Sequence, residues 1–68
     1  MRNIAREVGS KIRLIRKEKG FSQEGLALRA KLDRSYMGRI ERGEANITLE
    51  MLYQLADVLD CDAKDLLP

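Results

Sequence analysis

The chain has 68 residues, 13 Lys and Arg against 11 Asp and Glu, 44% apolar residues, one cysteine and no histidine. This length allows a single small domain over 1–68 and leaves no room for a separate catalytic or oligomerisation domain. With Cys61 alone and no imidazole, an internal disulfide, most zinc sites and the usual general base are excluded, so no metal and no cofactor are expected.

Apolar residues recur with a helical period from the start. Ile4, Val8, Ile12 and Ile15 share one stripe, with Arg2, Arg6, Lys11, Arg13 and Lys17 mostly off it, which predicts a first helix over 4–19. Gly20 follows a basic last turn and suits a C-terminal cap. Leu14 lies off the stripe, either as an exposed apolar residue of no consequence or as a contact with another chain. Ser22 is a good N-cap for a second helix over 22–30 with Leu26, Ala27 and Ala30 inward, although Gly25 weakens it. Asp33 caps a third helix over 33–42 with Met37, Ile40 and Glu41 inward, ending at Gly43. Thr48 caps a fourth over 48–59 with Leu52, Leu55, Ala56 and Leu59 inward, and Asp62 with Asp65 opens a fifth over 63–67. No stretch alternates long enough to form a strand. The expected fold is all-α, five compact helices joined by short turns. Cys61 is expected to be a small buried hydrophobe.

Charge is segregated along the chain. Residues 1–43 hold 12 basic against 5 acidic residues, and residues 44–68 hold 1 against 6. Such a chain lays its first two-thirds on a polyanion and turns its acidic end elsewhere. No apolar run approaches the length of a membrane span, and residues 1–20 lack the apolar stretch of a secretory signal, so a cytoplasmic protein without membrane contact is expected.

Residues 23–42 form a short helix, a tight turn and a second short helix, the layout of a helix-turn-helix. The string SQEGLALRAKLDRSYMGRIERG, preceded by GSKIRLIRKEKGF and followed by NITLEMLYQLADVLDCDAKDLLP, resembles the Cro/CI-type helix-turn-helix regulators of phages and bacteria. The resemblance runs from Val8 to Pro68 and is nearest to two subgroups, prophage repressors and the controller proteins of restriction-modification systems. It implies a lambda-repressor-like DNA-binding domain and a transcriptional regulator of double-stranded DNA. The compact length favours the controllers, and an antitoxin or protein-interaction module on the same fold is the rival reading.

Helical geometry turns Ser35, Gly38, Arg39 and Arg42 outward when Met37, Ile40 and Glu41 face inward, with Arg34 in the first turn. The first turn of the second helix of such a motif enters the major groove, and arginine pairs bidentately with guanine. Arg34, Ser35 and Arg39 are therefore the expected base readers. Tyr36 joins them if its ring packs on a sugar or thymine methyl, or else covers the edge of the second helix. Gly38 suits close approach either to DNA or to the second helix. Gln23, at a helix N-terminus, is expected to hold a phosphate, a role that the resemblance also implies, with Arg42, Asn46, Lys31 and Arg13 as further phosphate contacts. Lys31 stands where many family members have glycine, so a left-handed backbone there would strain the turn. The resemblance further implies that Arg16 and Glu41 pair across the core as a structural ion pair.

One reading helix is too little to select a genomic site, so a homodimer on a palindromic operator is expected, with half-sites about 10 bp apart. Ile47, Leu49, Met51 and Leu66, with Tyr53, Val58 and Leu67 nearby, exceed what one inner face hides. They either form the dimer interface or complete a small core. No nucleophile, base and orienting group converge, so an enzyme is not expected, and no small-molecule ligand is evident. With Phe21, Tyr36 and Tyr53 as the only aromatics, an RNA platform is missing too.

Overall fold

A computed structural model describes residues 2–68. They form four α-helices, α1 (Ile4–Glu18), α2 (Gln23–Arg29), α3 (Arg34–Glu41) and α4 (Leu49–Leu59), and a closing 3-10 turn, Ala63–Leu66. The expected fifth helix is thus corrected to one turn. Four residues between extended flanks at Asp62 and Leu67 cannot meet the nucleation cost of an α-helix. The outer residues of the expected spans, Lys19, Ser22, Ala30, Asp33, Arg42 and Thr48, are caps. Ser22 Oγ accepts from the Gly25 N–H at 2.9 Å and Thr48 Oγ1 from that of Met51 at 3.1 Å. Asp33 makes no such bond, so α3 begins without a side-chain cap.

All four helices end in the same way. Gly20, Lys31, Gly43 and Asp60 each have φ between 55° and 83°. In each case the following N–H reaches back to a carbonyl in the last turn: Phe21 to Arg16, Leu32 to Ala27, Glu44 to Arg39 and Cys61 to Ala56, at 2.8–3.0 Å. This is the Schellman ending, which glycine adopts freely and lysine or aspartate only with strain. Lys31→Gly is accordingly expected to raise stability by roughly 0.5–1 kcal/mol, since relief of the left-handed strain exceeds glycine's larger loss of entropy. A lower melting temperature for that variant would contradict this reading.

The core joins all four helices and the closing turn around Ile12, Leu26, Met37, Ile40, Leu55, Leu59 and Leu66, all fully buried. Each such side chain contributes about 1.5–3 kcal/mol of transfer free energy. α1 packs on α3, α2 on α3, and the 3-10 turn on both α4 and α1. Gly9 sets the closeness of the α1–α3 crossing, because a Cβ there would collide with the carbonyl oxygen of Ile40 and lie 2.8 Å from that of Glu41. Gly43 lies as close to α1, its missing Cβ 2.6 Å from Arg6 Cα. Two expectations of burial are corrected. Ile4 is half exposed, its side chain only partly covered in a small crevice that it lines with Ile40 and the segment Ala45–Ile47. Cys61 is only half-buried, and desolvation together with Asp65 pushes its thiol above the ordinary range, so it stays protonated.

Candidate DNA interface

The chemistry of the exposed face begins with a buried ion pair. Arg16 of α1 and Glu41 of α3 meet through two bonds, Nε to Oε2 at 2.7 Å and Nη2 to Oε1 at 3.0 Å, with both side chains almost fully buried. The third arm, Nη1, donates to the carbonyl of Phe21 at 3.0 Å and ties down the loop that leads into α2. Glu41 Oε1 also accepts from Gln23 Nε2 at 3.2 Å. One carboxylate thus links α1, α2 and α3, and it positions the first residue of α2. No buried side-chain N or O among the described residues lacks a partner. A buried pair tolerates desolvation only when its remaining donors and acceptors are satisfied, as they are here.

Above this pair lies a shallow concavity of about 290 Å³, lined by Gln23, Arg34, Ser35, Gly38 and Arg42. Arg34, Ser35 and Arg39, the expected base readers, are all exposed along α3. Tyr36 is half-buried and packed against the core, so most of its ring is already engaged within the chain. Gly38 is buried rather than open, a correction to the expected outward position. The Arg42 and Gln23 side chains roof it, at 3.0 and 3.4 Å from where a Cβ would stand. Its close approach is therefore to α2 and the end of α3. Among the expected phosphate contacts, Gln23 is half-buried at the rim, Arg42 is the C-cap of α3, and Lys31 stands exposed in the turn between α2 and α3. Asn46 lies in the loop after α3, beside the crevice against the start of α1, and Arg13 is exposed on α1 away from the concavity's lining.

Two acidic residues on this face have no part in the DNA-binding reading of the sequence. Glu44 Oε2 lies 3.1 Å from Arg42 Nε, and its Oε1 accepts from Arg42 Nη2 at 3.1 Å. That hydrogen bonding holds the Glu44 carboxyl below the usual range and raises Arg42 above its own. Glu24 Oε2 lies 3.5 Å from Arg34 Nη1. Glu44 was within reach of sequence reasoning, being two residues from Arg42, but Glu24 is ten residues from Arg34 and only the tight turn brings them together.

Of the expected interface residues, Leu49 is 72% exposed and Ile47 and Met51 are half-buried. Leu66 is fully buried against α4 and α1, which corrects its assignment to an intermolecular contact. Tyr53, one turn beyond Leu49, is also largely exposed.

A family model described as helix-turn-helix, HTH_3, matches residues 12–66. The chain belongs to the HTH_3 helix-turn-helix family. Control protein C.BamHI of Bacillus amyloliquefaciens is 41% identical to it over 66 residues, which span 96% of this chain and 82% of that protein. The crystal structure of the restriction-modification controller protein C.AhdI from Aeromonas hydrophila matches with a TM-score of 0.87 at 42% identity, over 91% of this chain and 94% of the other. SinR, a master regulator for biofilm formation, matches in its crystal structure with DNA at a TM-score of 0.82 and 37% identity, over 87% and 95% of the two chains. HTH_3 chains with these names are transcriptional regulators and controller proteins, not enzymes. No helix among the described residues is long and apolar enough to cross a membrane.

Proposed function

We propose that this chain is a sequence-specific regulator of transcription that binds a palindromic double-stranded DNA operator as a homodimer, in the manner of a restriction-modification controller protein. The observation that carries this reading is the face of α3, where Arg34, Ser35 and Arg39 stand exposed beside a concavity rimmed by Gln23 and Arg42. Arginines on the first turns of a helix in the major groove read guanine edges, while donors at the rim hold phosphates on either side. Residues 1–68 act as one domain in this reading, Leu49, Ile47 and Met51 form the contact between copies, and the cytoplasm supplies the DNA. Likeness to C.BamHI and C.AhdI favours a controller. Likeness to SinR favours the second reading, a repressor outside restriction-modification systems.

Selection of bound duplexes from a randomised library, at two salt concentrations, tests the proposal. The expected result is a palindrome with guanines in each half-site and a log–log salt slope on the order of −5 to −9, for a dimer that contacts roughly 6–10 phosphates. Binding without an enriched sequence would leave only a basic surface and bring the protein-interaction reading forward. Arg39→Ala is expected to cost about 1–3 kcal/mol on the selected duplex and to relax the preference at one position per half-site. Asn46→Ala should instead weaken all duplexes alike, because a phosphate contact carries no sequence information. Parallel titrations of the selected duplex and its single-base variants distinguish the two patterns.

A further inference from the structure

Three of the donors around the α3 concavity face carboxylates. Glu41 accepts a hydrogen bond from Gln23, Glu24 stands at ion-pair distance from Arg34, and Glu44 binds Arg42. The first of these is locked, since Glu41 is buried and paired with Arg16. The other two are open to water: the Arg34 and Glu24 side chains are each 72% exposed, and those of Arg42 and Glu44 more than half. Glu44 takes Arg42 with both oxygens, the fork geometry in which a guanidinium also holds a phosphate.

We propose that Glu24 and Glu44 set the stringency of this face, occupying Arg34 and Arg42 in the free protein so that only a duplex engaging both arginines repays their release. The inference rests on the DNA-binding reading above. A phosphate met at random offers Arg42 little more than the carboxylate it must leave, and it also meets the repulsion of that carboxylate. A correct half-site engages Arg34 at a base edge and Arg42 at the backbone together, so the same displacement takes a smaller share of its binding energy. The two acids therefore lower affinity for every duplex by about the same factor, so that at a given protein concentration random sites empty while the correct site, bound with energy to spare, stays occupied. Because both pairs are exposed, each acts as a reversible competitor and not as a fixed part of the fold.

The test is a double-mutant cycle read as duplex affinity, with the duplex recovered by selection and a scrambled duplex of equal length as probes. Glu44→Gln is expected to tighten binding of the scrambled and the selected duplex alike, about three- to fivefold. Removal of a negative charge raises DNA affinity through the general field as well, and the Arg42→Gln background isolates that part. There the gain from Glu44→Gln is expected to shrink below about twofold. Glu24→Gln in wild-type and Arg34→Gln backgrounds should behave in the same way. Equal gains in both backgrounds, with the wild type binding its selected duplex normally, would overturn the role of the carboxylates alone. Failure of the wild type to bind any duplex at low salt would overturn the reading of the face and this inference with it.

Discussion

Arg16→Ala is expected to abolish DNA binding by unfolding the chain, although Arg16 belongs to the buried network and not to the lining of the concavity. Loss of the guanidinium leaves Glu41 as an uncompensated charge in the core and strips a donor from the Phe21 carbonyl. Breaking a buried pair in this way costs about 3–5 kcal/mol. A chain of 68 residues has a total stability of only about 3–10 kcal/mol, at 0.05–0.15 kcal/mol per residue. The variant should therefore be largely unfolded at physiological temperature, as followed by the helical circular dichroism signal during denaturant titration. A double change, Arg16→Met with Glu41→Leu, should recover much of the loss, because a buried ion pair is often replaceable by apolar side chains of similar volume. Full helicity of Arg16→Ala with lost DNA binding would instead make Arg16 a direct contact and contradict the network described here.

The second large effect separates two leucines that look alike in the sequence. Leu66 is fully buried where the closing turn meets α4 and α1, so Leu66→Ala leaves a cavity and should destabilise the chain by about 2–5 kcal/mol. Leu49 is 72% exposed at the start of α4. Leu49→Glu should keep the helical signal intact and shift sedimentation toward the monomer, if the proposed contact between copies runs through this face. An unchanged oligomeric state would remove Leu49 from that contact. A Leu66→Ala chain as stable as the wild type would mean that the closing turn contributes little to the core.

Most helix positions were legible because they rest on local rules. Ser22 and Thr48 cap their helices as their side chains allow, and the inward residues of α2, α3 and α4 follow the helical period. Local rules also failed in particular places. Asp33 has the right side chain for a cap but makes no cap bond, and Ile4 continues the α1 stripe where its neighbours cover only half of it. Lys31 and Asp60 take the left-handed ending without the glycine that would announce it, because the Schellman bonds and the short turns compensate for the strain. The placement of Leu66 was open between core and surface. An apolar residue near a chain end carries no mark of which element it will meet.

The amino-acid sequence by itself determined the all-helical class, the order and approximate limits of α1 to α4, and the exposed arginines of α3. Periodicity, caps and charge act over a few residues and can be read directly along the chain. Tertiary structure alone decided that Gly9 brings α1 against the carbonyls of α3, that Gly38 lies beneath Arg42 and Gln23, and that Leu66 closes the core. It also decided that Glu24 stands at ion-pair distance from Arg34, ten residues on in the sequence. These depend on how helices distant in sequence pack and cross, where burial and the pairing of every polar group are settled together, and no local pattern encodes that outcome.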